Sequence, residues 1–193
     1  MNNNFYVSFR KATINDVKFV AQIVLEALGY EAFNQPSLTQ ERRKLIEKVA
    51  ELTRRDDTLH SWLHTWLCEV NHETIGGFIA YDGHEYMERF EVEMPQLTKL
   101  LNINLANMGR ETSDGEFYID SIAVVPEWRN KGLGIQLLNE AKRQTCKSHF
   151  KCASLLVAPD NGQATRLYEK ACFKQVGEIF TYNEKYIKMI YFV

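Results

Sequence analysis

The stretch Glu116–Leu138 constrains the fold more than any other part of the sequence. It begins with Glu116–Val125, whose strand-forming residues predict a β-strand, and continues through a short basic turn that contains two glycines. Apolar side chains then recur at helical spacing, which predicts a helix directly after the turn. A strand that leads into a helix in this way is typical of a sheet covered by helices, so we predict a mixed α/β protein.

The remaining segments predict the element order β-α-α-β-β-β-α-β-α-β-β. The apolar face of the first helix consists of Val17, Val20, Ala21, Val24 and Leu28. Residues 83–115 are acidic and are predicted to be helical in their second half, and we interpret them as an insertion between two strands. Because no linker-like segment interrupts the chain, residues 1–193 are predicted to form a single domain.

Composition and charge exclude several classes of protein. With 45% hydrophobic residues and a net charge of -2, the chain is expected to be a packed globule and not a sequence-independent nucleic-acid binder. No apolar run approaches the roughly 20 residues of a membrane span, and Met1–Arg10 lacks the pattern of a secretory signal. We therefore expect a cytoplasmic protein with reduced cysteines and with neither a nucleic-acid nor a membrane partner.

The turn has the features of an anion-binding site. The first amides of a helix lack internal partners and lie at the positive end of its dipole, and Gly132 and Gly134 would let a ligand approach the backbone. Arg129 and Lys131 add two cations, so the turn either holds a pyrophosphate or is a tight turn with solvated basic residues. A Walker loop is absent, and Leu137 stands where the dinucleotide fingerprint requires its third glycine.

Arg129-x-x-Gly132-x-Gly134 after a strand, with Pro126 three residues before the arginine, resembles the pyrophosphate-binding signature of the GNAT superfamily of N-acetyltransferases. Residues 160–173, DNGQATRLYEKACF, are similar to a second motif of that superfamily, N-x-x-A-x-x-L-Y-x-K-x-G-F. The matching residues are Asn161, Ala164, Leu167, Tyr168, Lys170 and Phe173. Cys172 replaces the usual glycine, so we expect a slightly different turn after this helix and no loss of chemistry.

The resemblance implies an acetyl-CoA-dependent enzyme with a GNAT-like fold, which needs no metal and acetylates a primary amine by direct attack in a ternary complex. The backbone of Ile122, Ala123 and Val124 would bind the pantetheine arm. The residues implied to hold the pyrophosphate are Arg129, Asn130, Lys131, Gly132, Leu133, Gly134 and Ile135. Asn161 would contact the cofactor further along, or cap the following helix, and both roles are compatible.

The resemblance also implies the catalytic residues. Tyr168 would bind the cofactor and donate a proton to the departing thiolate, unless it is only a core tyrosine. Asp120, two residues before Ile122, would be the general base, directly or through water. Alternatively, Asp120 binds a cationic amine or anchors a neighbouring element. Glu116 is a weaker candidate for the base.

The acceptor is expected to be a primary amine on a small molecule or a peptide. The resemblance places its pocket at Leu28–Ser37 and at residues 83–115. The acids of the second segment, which would favour a cationic amine or simply form a solubilising surface helix, are Glu85, Glu88, Glu91 and Glu93.

Two other functions stay open at this point: a non-catalytic acyl-CoA-binding regulatory or sensor domain, and a binder of another phosphorylated ligand. His60 and His64 have helical spacing but no third ligand, so we expect no metal site. Cys152 and Cys172 are expected to be small buried residues. A homodimer is a further open alternative.

Overall fold

In the computed structural model of the chain, residues 6–33, 39–104 and 108–193 are described. Their helices are α1 (Val17–Ala27), α2 (Gln40–Thr53), α3 (Tyr86–Leu101), α4 (Leu133–Lys147) and α5 (Gly162–Lys170). Their strands are β1 (Val7–Lys11), β2 (Thr65–Val70), β3 (Glu73–Asp82), β4 (Glu116–Val124), β5 (Cys152–Val157), β6 (Lys174–Thr181) and β7 (Glu184–Phe192). The strands form a seven-stranded sheet in the order β1-β2-β3-β4-β5-β7-β6, which confirms the mixed α/β prediction.

Helix α3 is missing from the predicted order of elements. It occupies Tyr86–Leu101, the first half of the segment 83–115, so the prediction of helix in the second half is wrong. The side chain of Asp82 accepts a hydrogen bond from the backbone of the short 3₁₀ turn before the helix, and Asn102 ends the helix in the left-handed conformation. Pro95 lies inside the helix and obscured it in the sequence, because proline normally ends or kinks a helix.

One compact unit comprises the described residues 6–33, 39–56, 60–79 and 121–137. Within it β1 pairs antiparallel with β2, β2 pairs antiparallel with β3, and α1 packs on α2. Burial confirms four of the five residues predicted for the apolar face of α1, since Val17, Val20, Ala21 and Val24 are at most 3% exposed. The fifth, Leu28, follows the last residue of the helix and is half-buried. This face anchors α1, whose last turn leads towards the loop at residues 28–33.

Two adjacent glycines in β3 allow close approaches within this unit. A Cβ on Gly77 would lie 2.6 Å from the carbonyl oxygen of Trp66 and 2.9 Å from the side chain of Ile23. A Cβ on Gly76 would lie 2.6 Å from the carbonyl oxygen of Ala123, near the end of β4. Real Cβ atoms are not found this close to backbone oxygens, so both positions require glycine.

The other compact unit comprises the described residues 57–59, 80–104, 108–120 and 138–193. Here β4 pairs in parallel with β5 from Glu116↔Cys152 to Tyr118↔Ser154. Strand β5 continues to Val157 and pairs antiparallel with β7, which in turn pairs antiparallel with β6. None of the helices in the described part of the chain is long and apolar enough to cross a membrane. The assignment of residues 1–193 to a single domain stays a prediction.

Candidate functional site

The turn after β4 is an ordered structure with specific backbone requirements. Pro126–Trp128 form a 3₁₀ turn, in which the N–H of Arg129 donates to the carbonyl of Pro126 at 3.1 Å. Asn130 and Gly132 have φ values of +59° and +79°, in the left-handed region that asparagine tolerates and glycine favours. Helix α4 begins at the next residue, Leu133, so its unpaired first amides follow directly.

The cations of this turn contact protein groups. The Arg129 guanidinium pairs with the carboxylate of Glu26 at 2.5 Å, and its Nε donates to the carbonyl oxygen of Val124 at 3.0 Å. The ammonium group of Lys131 lies 4.5 Å from the centre of the Trp128 ring. Glu26 was not among the predicted site residues, and no local sequence signal marks it, because it precedes Arg129 by 103 positions.

The end of β4 belongs to the same unit as the turn. The N–H of Val125 donates to the carbonyl oxygen of Ile75 at 2.9 Å, and Ala123 is buried. Ile122 and Val124 are partly exposed, and the Val124 carbonyl already accepts from Arg129. The structure therefore brings the predicted pantetheine segment and the predicted pyrophosphate turn into direct contact through Arg129.

Asn161 and Tyr168 lie at opposite ends of α5, in the other unit. The side-chain oxygen of Asn161 accepts from the N–H of Ala164 at 3.0 Å, so Asn161 is the N-cap of this helix. This confirms the capping role. The amide nitrogen of the same side chain is a donor that capping does not use.

The end of α5 is held by a regular C-cap. The N–H of Cys172 donates to the carbonyl of Glu169, and the N–H of Phe173 donates to the carbonyl of Tyr168, which is the Schellman pattern. Cys172 has a φ of +68°, the conformation that glycine normally adopts here. The expectation of a different turn is therefore wrong, as is the expectation of a buried Cys172, whose side chain is exposed. Cys152 is buried, as predicted.

Tyr168 is placed where its hydroxyl stays protonated at neutral pH. The residue is only 8% exposed, and burial raises its pKa to about 12. Its ring lies 6.4 Å from that of Phe173, which packs in turn against Tyr191. A neutral phenol in a dry environment is a hydrogen-bond donor and a proton source, so its chemistry fits an acid.

Asp120 is hydrogen-bonded within a group of tyrosines. The hydroxyl of Tyr81 donates to the Asp120 carboxylate at 2.5 Å. Burial, and then the charge of Asp120, raise the pKa of Tyr81 well above its ordinary value. Nearby in the same unit, the hydroxyl of Tyr118 donates to Glu111 at 2.8 Å, and Glu111 is 7% exposed. Neither Tyr81 nor Glu111 was among the predicted site residues, since both lie outside the two motifs.

Glu116 makes several structural contacts. Its Oε2 accepts from the ammonium of Lys188 and from the hydroxyls of Ser154 and Thr112, each at 2.8 Å. Burial works to raise its pKa, but these hydrogen bonds outweigh burial and hold the pKa below its ordinary value. A carboxylate so well stabilised in its charged form is a poor proton acceptor, which counts against Glu116 as the base.

The predicted acceptor segments are described in part. Residues 34–37 of the loop Leu28–Ser37 and residues 105–107 of the insertion lie outside the described residues. On α3, Glu88 and Glu91 are exposed, but Glu93 is buried, so Glu93 does not belong to a solvated acidic face. Tyr30 and Glu31 line an open depression of about 530 Å³ that also contains Arg42, so both signs of charge border it.

Comparisons with known proteins agree with this geometry. A sequence profile of the acetyltransferase (GNAT) family matches residues 30–172. A solved structure described as an acetyltransferase superposes with a TM-score of 0.75 at 23% identity, covering 96% of this chain and 99% of the other. An N-acetyltransferase from Staphylococcus aureus Mu50 superposes at 0.74 and 22% identity, covering 95% and 100%. The aminoglycoside acetyltransferase AAC(6')-Ib in complex with coenzyme A superposes at 0.63 and 18%, covering 97% and 95%.

No curated protein sequence matches the chain. The structural similarities lie below 25% identity and therefore concern the fold. Across residues 6–33, 39–104 and 108–193, no group of three or more His, Cys, Asp or Glu side chains is arranged to hold a metal ion. The absence of a metal requirement stays a prediction.

Proposed function

Because the chain belongs to the acetyltransferase (GNAT) family and is an acyltransferase, we propose that it transfers the acetyl group of acetyl-CoA to a primary amine by direct attack in a ternary complex. The observation that carries this proposal is the turn after β4, where Gly132 in a left-handed conformation leads into the first amides of α4. Such a turn supplies backbone donors and a positive helix end for a pyrophosphate.

The cofactor is bound by two segments in this proposal. The turn Arg129–Ile135 holds the pyrophosphate through its backbone amides, and the backbone of Ile122–Val124 hydrogen-bonds the pantetheine arm as an added strand would. The partial exposure of Ile122 and Val124 supports this role. Asn161 donates its remaining amide protons to the cofactor while its oxygen caps α5.

Tyr168 is the proposed general acid. As the tetrahedral intermediate collapses, the carbon–sulfur bond of the thioester breaks and the Tyr168 hydroxyl donates its proton to the leaving thiolate. Its side chain is buried and its hydroxyl is protonated throughout the neutral range, as a proton donor must be.

Asp120 is the proposed carboxylate on the acceptor side. It accepts a proton from the attacking amine, directly or through water, and it also attracts an amine that arrives as an ammonium ion. The hydrogen bond from Tyr81 fixes the orientation of this carboxylate. The acceptor is a primary amine of a small molecule or a peptide.

The first experiment measures thermal unfolding with acetyl-CoA, with ATP and NAD as controls. A ligand present at 100 times its Kd adds about 2.7 kcal/mol of stability, which for a domain of this size raises Tm by roughly 5–10 °C. Acetyl-CoA is expected to produce this shift and the controls are not. Free thiol release with a panel of primary amines then tests the transfer step. A protein that binds acetyl-CoA but acetylates no amine of the panel would refute it.

A further inference from the structure

Glu26 connects two segments that the motifs treat separately. It lies in the last turn of α1, and its side chain is only 13% exposed. Its Oε1 accepts from Arg129 at 2.5 Å, while its Oε2 accepts from the backbone N–H of Phe33 at 3.1 Å. Both carboxylate oxygens are therefore engaged, one on each segment.

The Arg129 side chain continues this connection. Its Nε donates to the carbonyl oxygen of Val124 at 3.0 Å, so one guanidinium contacts both Glu26 and the end of β4. Such a two-point contact depends on the planar guanidinium, which a lysine ammonium cannot reproduce. A hydrogen-bonded series thus runs from the Phe33 amide through Glu26 and Arg129 to Val124.

The loop at residues 28–33 is packed against α1 at the other end of this series. The side chain of Gln22 donates to the carbonyl of Ala32 at 3.0 Å, and Ala32 and Phe33 are at most 5% exposed. The ring of Phe33 lies 5.1 Å from that of Phe19. The Glu26 carboxylate therefore holds the backbone of Phe33, the last described residue of this packed loop.

We propose that Glu26 is a positioning residue: through Arg129 it fixes the acetyl-CoA turn, and through the Phe33 amide it couples that turn to the loop that begins the acceptor segment. This inference rests on the proposed function. Arg129 then acts by holding the backbone of the turn, since its charge is neutralised by Glu26, and the amides of the turn contact the pyrophosphate.

Glu26→Gln tests the carboxylate with little change in shape. Arg129 and the Phe33 amide donate to different carboxylate oxygens, and glutamine replaces one of these oxygens with an NH2 group that donates, so one of the two contacts is lost. We expect Glu26→Gln to weaken acetyl-CoA binding, measured by calorimetry, by about 10-fold, and Arg129→Met to do the same. The double variant should bind no more weakly than Arg129→Met alone, because both changes break the same connection. Glu47→Gln, which removes an exposed carboxylate that pairs with Lys18 at 3.6 Å, is the matched control and should bind as the wild type does.

Other results would overturn the inference. If Arg129 binds the pyrophosphate as a free cation that Glu26 restrains, Glu26→Gln will bind acetyl-CoA more tightly and Arg129→Lys will retain wild-type affinity. Positioning predicts instead that Arg129→Lys is weakened like Arg129→Met, since lysine cannot contact Glu26 and Val124 together.

Amide hydrogen exchange without cofactor separates this inference from the proposed function. Coupling predicts that Arg129→Met increases exchange at the Phe33 amide, although Arg129 does not contact Phe33 in the hydrogen-bonded series. Unchanged protection in this variant would refute the coupling even if acetyl-CoA binds. Conversely, a wild-type protein that fails to bind acetyl-CoA would refute the proposed function, and the exchange result would still decide whether the coupling exists.

Discussion

Gly132→Ala separates the conformational role of this glycine from its role in binding. Gly132 has a φ of +79°, and a Cβ added there meets no protein atom within 4 Å. Alanine therefore lowers the free energy of unfolding only through its unfavourable conformation, by roughly 1–2 kcal/mol for a left-handed residue. The reduced freedom of the unfolded chain offsets about 0.4–1 kcal/mol of this loss. A net loss of about 1 kcal/mol lowers Tm by roughly 2–4 °C in a protein of this size.

Gly115→Ala is a closely matched control for this substitution. Gly115 has a φ of +84°, and a Cβ there also meets nothing within 4 Å, but it precedes β4 and lies outside the turn. Both variants should lose similar stability in thermal unfolding. A methyl group at position 132 would occupy the space next to the turn amides, so Gly132→Ala should also lose a hydrogen bond to the charged pyrophosphate.

That loss is worth about 1.5–3 kcal/mol, which corresponds to a roughly 10- to 100-fold increase in the Kd for acetyl-CoA. Calorimetric titration of both variants measures it directly. The reasoning fails if the two variants lose the same stability and both bind acetyl-CoA as the wild type does. It fails equally if Gly115→Ala weakens binding as much as Gly132→Ala, because the effect would then not be specific to the turn.

Tyr168→Phe should lower kcat by roughly 100-fold or more because a general acid is removed, while the Kd for acetyl-CoA stays nearly constant; steady-state kinetics with an unchanged kcat would exclude the acid role. Gly76→Ala should destabilise the protein by about 1–3 kcal/mol in urea unfolding, because its Cβ would lie 2.6 Å from a backbone oxygen of β4. Cys172→Gly should stabilise it by about 0.5–1 kcal/mol, because relief of the left-handed φ of +68° exceeds the cost of the greater freedom of the unfolded chain; an unchanged or lower Tm would contradict this. The hydrogen bond from Arg10 is the main cause that lowers the pKa of Asp16 to about 2, so this contact stabilises the folded state above the ordinary carboxyl pKa and is lost as pH falls through about 2. Asp16→Asn should therefore be less stable than the wild type at pH 7, and chemical unfolding should show the difference narrowing in acid.

Features fixed by neighbours in the chain were predicted from the sequence. The apolar face of α1 follows from side chains three and four residues apart, and it is buried as predicted. The capping of α5 by Asn161 follows equally from one side chain and the amide three residues later. The family could be predicted because each of the two motifs lies within one short segment of the sequence. The family profile, which matches residues 30–172, confirms this prediction.

Features that depend on distant residues were not predicted. The pair between Glu26 and Arg129 joins positions 103 residues apart, and nothing near either residue indicates the other. Glu93 was grouped with exposed acids because charged side chains usually face water, yet it is buried in α3. Cys172 was expected to change a turn because it replaces the usual glycine at the helix cap, but the two Schellman hydrogen bonds hold Cys172 in the conformation that glycine adopts there.

The adjacent glycines of β3 also limit how this protein can vary over evolution. Every substitution at Gly76 or Gly77 adds at least a Cβ, and at each site that atom would lie 2.6 Å from a carbonyl oxygen. Even alanine, the smallest replacement, is therefore excluded together with larger side chains, so neither glycine can be replaced stepwise. Gly177 in β6 differs, because a Cβ there meets nothing within 4 Å. We therefore expect related sequences to carry substitutions at the position of Gly177 but to keep glycine at the positions of Gly76 and Gly77.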